Sequence, residues 1–178
     1  MNTVQVRDKQ FALYLTEDCI KERIAKIASQ VEAELIGKHP LFLVVLNGAF
    51  VFAADFLRSI TTPCEVSFIR LASYEGTSST GEVKELIGLN EEIAGRTVVI
   101  LEDIIDSGLT MQELLQTLAL KNPKEIRIVS LFVKPDNLKV NLDIQYCCFE
   151  IENDFIVGYG LDYDGEGRNL SDIYKVVE

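Results

Sequence analysis

Ile20, Ile24, Ile27, Val31 and Leu35 recur at spacings of three and four, with charged residues between them. One apolar stripe at that period predicts an amphipathic helix. Thr16 is placed to cap it, Glu17 and Asp18 fall in its first turn, and Gly37 is suited to stop it. The period then changes. Residues 41–46 read LFLVVL, a continuous apolar run too short for a free-standing helix. Such a run predicts a central strand covered on both faces. Asn47-Gly48-Ala49 breaks it, residues 50–60 read as a second helix, and 64–70 alternate loosely as a strand. Residues 97–101, TVVIL, predict another buried strand that runs straight into Glu102 and Asp103. A helix over about 110–121, a buried strand over 125–133 and strand candidates at 146–151 and 155–160 complete the series. Residues 90–96 read as a turn, and 73–82, SYEGTSSTGE, have the small, polar composition of a mobile loop.

Strands alternating with helices predict an α/β fold with a central parallel twisted sheet, helices on its flanks and right-handed crossovers. At 178 residues the chain is expected to form one domain. Ligands bind such sheets at the carboxyl ends of the strands. The unusual residues sit at those ends: Asn47-Gly48 after one strand, Glu102-Asp103 after a second, Lys134 after a third.

Composition narrows the function. The chain is 48% hydrophobic with no apolar run of membrane length, and its first ten residues, MNTVQVRDKQ, have no signal-peptide core. A net charge of −11 argues against a protein that coats nucleic acid or anionic membranes. Cys19, Cys64, Cys147 and Cys148 contain no CxxC pair, so no structural zinc site is expected. They read as reduced, mostly buried packing residues, which fits a cytoplasmic location. Cys147 and Cys148 are adjacent in a strand candidate and should face opposite ways. His39, the single histidine, reads as a solvated loop residue, so acid–base chemistry should rest on carboxylates.

The segment from Val98 to Thr110, VVILEDIIDSGLT, is the strongest candidate for chemistry. Ser107, Gly108 and Thr110 at a helix start can offer hydroxyls and backbone N–H groups to a phosphate. Glu102 and Asp103 are wrong for binding phosphate directly, and suit ribose hydroxyls or water on Mg²⁺. Asp106 lies between the two zones. Neither a Walker loop nor a dinucleotide fingerprint is present.

Those thirteen residues resemble the phosphoribosyl-diphosphate motif of type I phosphoribosyltransferases. Further segments are similar to the hypoxanthine-guanine phosphoribosyltransferase family. They are Leu46-Asn47-Gly48-Ala49 (diphosphate loop), 68–74 with Ser79-Thr80-Gly81 (catalytic loop), Ser130-Leu131-Phe132-Val133-Lys134 (base-reading strand), and 155–163 with Arg168-Asn169-Leu170 (base pocket). The likeness spans about residues 10–175, in order.

The resemblance implies transfer of phosphoribose to a 6-oxopurine, hypoxanthine or guanine, giving IMP or GMP and diphosphate through an oxocarbenium-like transition state. It implies a hood built from about residues 1–15 and 150–178. Asp106 would be the general base. Glu102 and Asp103 would hold the ribose hydroxyls, directly or through Mg²⁺. Ile105, Ser107, Gly108, Leu109 and Thr110 would wrap the 5′-phosphate. Lys134 would donate to the purine 6-oxygen, Phe155 would stack on the ring, and Ile156 would read its edge. Asp162 would ligate a second Mg²⁺, with Arg168, Asn47, Gly48, Ser73 and Tyr74 on the diphosphate. The peptide bond from Leu46 to Asn47 would be cis, and the assembly a homodimer or homotetramer. Asn47 and Ala72 stand where the family commonly has basic residues, and Pro135-Asp136-Asn137-Leu138 lacks arginines common there. The alternatives are transfer to another base, such as xanthine, and a non-catalytic nucleotide-binding regulator on the same fold.

Overall fold

The computed structural model describes residues 2–72 and 85–177. The long helix α1 (Glu17–Leu35) follows the apolar stripe, and Ile20, Ile24, Ile27, Val31 and Leu35 are all buried. Thr16 caps it, its hydroxyl accepting from Cys19 N–H. The continuous apolar runs become the interior of a six-stranded sheet. Its strands are β3 (Leu41–Val45), β4 (Glu65–Ala72), β5 (Glu85–Ile87), β6 (Thr97–Ile105), β7 (Glu125–Val133) and β8 (Tyr146–Glu150), in the order β5-β4-β3-β6-β7-β8. All neighbours pair in parallel except β4 with β5.

Strand alternation divides the core. Phe42, Val44, Val99 and Leu101 face α1 and α2 (Phe50–Leu57) on one side. Leu41, Leu43, Val98 and Ile100 face α3 (Leu109–Ala119) on the other. Cys147 and Cys148 divide in the same way, one toward each core. Arg23 ties α1 to the sheet edge, its Nε donating to the Cys148 carbonyl at 2.7 Å.

A second, antiparallel sheet of four strands forms the hood. It runs β1 (Thr3–Val6), β2 (Lys9–Leu15), β10 (Ile173–Val176), β9 (Ile156–Val157), and closes on Val6, Phe11, Val157 and Tyr174. Among the described residues, no helix is long and apolar enough to cross a membrane.

Several expectations are corrected. The hairpin β1–β2 and the strand β10 add to the elements that the apolar pattern predicts. The run expected at 155–160 is extended only at Ile156 and Val157, because the backbone turns at Gly158, Tyr159 and Gly160, all with positive φ. Helices α2 and α3 end at Leu57 and Ala119, short of the expected 60 and 121. Strand β6 does not stop at the carboxylates but continues through them to Ile105, still pairing with β7. All four cysteines are free, yet Cys19 and Cys64 are exposed, Cys147 is half-buried and only Cys148 is fully buried. Cys19 lies in the first turn of α1 and Cys64 in the loop before β4, away from either core.

Candidate active site

Because β6 runs on to Ile105, Glu102 and Asp103 alternate like any strand residues and enter different cavities. Glu102 lines a cavity of about 230 Å³ with Val45, Ser107, Gly108, Thr110 and Met111. Asp103 lines a neighbouring cavity of about 210 Å³ with Lys134, Asp154, Phe155, Ile156 and Asp162. Ile104 and Asp106 border both. The first cavity is backed by the start of α3, and the second lies between the sheet and the hood.

The first cavity has the form of an anion cup. Gly108 is the N-cap residue of α3 and has a left-handed φ of 78°. It has no side chain to close the first turn, so the positive end of the helix faces the cup. A glycine here lets a ligand approach the backbone closely. The structure adds a packing reason: a methyl group there would lie 2.9 Å from Leu142, beside Val140 and Leu138. The segment after β7 therefore braces the loop, and Lys139 N–H donates to the Ser107 carbonyl at 2.9 Å.

Burial, and then the charge of neighbouring Asp103, push the Glu102 carboxyl well above its usual range. Burial likewise raises Asp103. Their hydrogen bonds are local: Asp103 N–H donates to Glu102 Oε1 at 3.2 Å, and Ile104 N–H to Asp103 Oδ1 at 2.9 Å. The two side chains also hydrogen-bond each other, so two acids share one site where a cation or hydroxyl donor would relieve their mutual repulsion.

The loop 46–49 is packed directly against Asp103. The Leu46–Asn47 peptide bond is cis, Asn47 is exposed and Gly48 is buried. A methyl group on Gly48 would lie 1.5 Å from Asp103 Oδ2, so only glycine allows the loop this approach.

In the second cavity a lone lysine after a strand proves to be buried. Lys134 is 7% exposed, and its Nζ lies 3.1 Å from Asp106 Oδ2. The Asp106 side chain is 47% exposed, open to both cavities. Asn137, in the short 3₁₀ turn Pro135–Asn137, donates to Asp106 Oδ1. Sequence reasoning missed Asn137 and also Asp154, which lines the cavity and pairs with Lys175 at 2.7 Å. A polar residue three places after Lys134 in a proline-led turn was the available signal.

Phe155 is 42% exposed at the cavity wall, its ring edge-on to Tyr163 and tilted against Phe11. Ile156 is buried in β9. Asp162 and Arg168 pair with each other at 2.7 Å, while Gly165 N–H donates to Asp162 and Arg168 donates to the Gly160 carbonyl. Asp162 thus enters ligand chemistry only by sharing or releasing Arg168. Ser73 and Tyr74, with the rest of the 73–82 loop, lie outside the described residues.

Among the described residues, no three His, Cys, Asp or Glu side chains converge to hold a metal alone. Magnesium does not need such a cage: it binds through one or two carboxylates and completes its shell with water and substrate oxygens. Buried Glu102 and half-buried Asp103, adjacent acids at one strand end, fit that ion.

Comparison with known proteins adds independent findings. Residues 14–164 match the family model described as the phosphoribosyl transferase domain. A hypoxanthine-guanine phosphoribosyltransferase of Mycobacterium bovis is 41% identical over 167 residues, 90% of this chain and 83% of that protein. One of Aquifex aeolicus is 36% identical over 174 residues, 97% and 98% of the two chains. The crystal structure of a hypoxanthine-guanine phosphoribosyltransferase from Bacillus anthracis superposes with a TM-score of 0.83 at 35% identity, covering 94% of this chain and 99% of that one.

Proposed function

The chain belongs to the hypoxanthine-guanine phosphoribosyltransferase family, and from that membership and its two joined cavities we propose that it makes IMP or GMP from hypoxanthine or guanine and phosphoribosyl diphosphate. The observation that carries the reading is the buried Lys134 donor 3.1 Å from the Asp106 acceptor. A 6-oxopurine in its 7H form presents the complementary pair side by side: the O6 acceptor and the N7–H donor. Adenine presents an amino group at the same place, donor against donor, and a site built around such a bond rejects the wrong partner strongly.

The residues divide the work. Ile105, Ser107, Gly108, Leu109 and Thr110 surround the 5′-phosphate at the start of α3, where oriented amides favour an anion. Glu102 and Asp103 take the ribose hydroxyls. Phe155 stacks on the purine and Ile156 borders its edge. N9 of the purine attacks C1 of the ribose as the bond to diphosphate breaks, and the N7 proton passes to Asp106. Help of this kind is typically worth ~10²–10⁴ in rate. Asn47, Gly48 and Arg168 are assigned to the diphosphate, and by family likeness so are Ser73 and Tyr74 of the catalytic loop, whose closure would exclude water. Magnesium, when held through Glu102 and Asp103, with a second ion at Asp162, supplies positive charge to the leaving group. A protein of net charge −11 thereby receives a polyanion through metal, amides and a few local cations. Four free thiols suit a cytoplasmic protein, and the family suggests a homo-oligomer.

A panel of hypoxanthine, guanine, xanthine and adenine with phosphoribosyl diphosphate tests the reading. Turnover of the first two, failure of adenine and loss of all activity in excess chelator are expected. Brisk turnover of adenine would remove Lys134 from base selection, and full activity in chelator would remove the metal.

A further inference from the structure

We infer that Asn137 is a positioning residue that keeps Asp106 aimed at the purine once Lys134 has turned to the base. The inference rests on the functional reading above and goes beyond it. In the ligand-free geometry the two carboxylate oxygens have separate partners. Lys134 Nζ takes Oδ2 at 3.1 Å, and the Asn137 amide takes Oδ1. Only the second partner is free of other duties. When a 6-oxopurine enters, Lys134 must donate to O6, and the ammonium that held Oδ2 is drawn away. A carboxylate whose side chain is nearly half exposed, and which has a lysine as its sole anchor, would swing with it or turn to water. With Oδ1 held by Asn137, the side chain stays in place and Oδ2 is presented to N7–H.

The turn is built to deliver that amide. Pro135 starts a single 3₁₀ turn after β7, and Asn137 N–H donates back to the Lys134 carbonyl at 3.1 Å. Lys134 N–H in turn donates to the Ile105 carbonyl at 3.0 Å, so Lys134, Asn137 and Asp106 are tied through backbone to the same strand end. Lys139 N–H continues the tie to the Ser107 carbonyl. An arginine could supply a donor here too, but its charge would compete for the proton acceptor. A neutral amide orients the carboxylate without adding a second cation beside Lys134.

The test uses the full chain as wild type, Asn137→Ala and Asn137→Asp, each measured for kcat, for KM of both substrates and for thermal melting. Asn137→Asp is the decisive variant, because it keeps the shape of the side chain and replaces the donor with a carboxylate facing a carboxylate. Expected are kcat losses of ~10-fold for Asn137→Ala and ~100-fold for Asn137→Asp, with KM for phosphoribosyl diphosphate unchanged. A residue that merely packs would give the isosteric variant wild-type kcat, and that result overturns the inference. So would a rise in KM for phosphoribosyl diphosphate with kcat intact, which would place Asn137 in binding. A wild-type chain that turns over neither hypoxanthine nor guanine overturns the functional reading and, with it, this one.

Discussion

The two ends of the parallel sheet both carry charged side chains and treat them in opposite ways. At the amino end, charges neutralise one another. Burial alone would raise Glu125, but hydrogen bonds from Lys38 and Thr97 outweigh it and hold the carboxyl below its usual range. Arg127 pairs with Glu125 at 3.1 Å and also with Glu34, to which the Tyr146 hydroxyl donates. At the carboxyl end, Glu102 is buried beside half-buried Asp103, the two acids hydrogen-bond each other, and both are pushed up by burial. Networks of opposite charge support a fold, whereas two acids crowded together in a buried site are unfavourable until a cation arrives to offset them. The contrast separates scaffold from site without reference to any relative.

Neutralising the carboxyl end should sharpen that contrast most. Glu102→Gln removes a charge that burial disfavours, so the variant should melt no lower than wild type at neutral pH. It also removes a ligand for metal and ribose, and turnover should fall ~10–100-fold. The sign follows from the raised carboxyl: its ionised form is penalised in the folded state and not in the unfolded one, so the amide relieves a cost that is present at neutral pH and fades on acidification. Melting curves and steady-state rates on one preparation check both halves. A variant that loses stability while keeping its rate would place Glu102 in the scaffold.

The same contrast explains what could be read from the sequence. The five apolar positions of α1 and the continuous runs of β3, β6 and β7 were legible because each is deeply buried and has a simple period. The hood was not. In β2 only Phe11 is fully buried, and β9 has two residues, so neither leaves a periodic trace. The strand through Glu102 and Asp103 looked finished because acids interrupt its apolar run, yet pairing with β7 carries it three residues past Glu102. The acidic motif was visible because its residues are local and out of place. Asn137 was not, because its task is set by a turn that folds back to a residue 31 positions earlier. The grip of Arg168 on Asp162 was hidden for a similar reason: five residues and a turn separate them, and only the folded loop brings them to 2.7 Å.

Breaking the amino end should have the opposite signature. Arg127 is only 17% exposed and serves Glu125 and Glu34 together. Arg127→Met keeps much of the packing and leaves both carboxylates short of a partner. The expected cost is ~1–3 kcal/mol of stability, read as a lower midpoint in denaturant, with kcat unchanged. A matching loss of rate at saturating substrate would show that the two ends are not independent.

The smallest effect is expected at the outer rim of the amino end. Glu32 of α1 accepts from the backbone N–H groups and hydroxyls of Thr61 and Thr62, which pins the loop leading into β4. Those bonds, the Thr61 amide foremost, hold its carboxyl at about 2 against an ordinary value of 4.5. A carboxylate depressed on folding adds stability that is fully present above its unfolded value and is lost as pH falls through the folded one. The clamp should therefore be intact at neutral pH, weaken from about 4.5 downward and be gone near 2. Glu32→Gln should melt slightly below wild type at neutral pH, since an amide has one acceptor oxygen to offer four donors. The gap should close as the pH falls through that window, because wild type loses what the variant never had. Solvent screens so exposed a group, so the difference will be modest. Its disappearance in acid is the diagnostic feature. A gap that stays constant across the window would mean that the clamp acts through shape and not through charge.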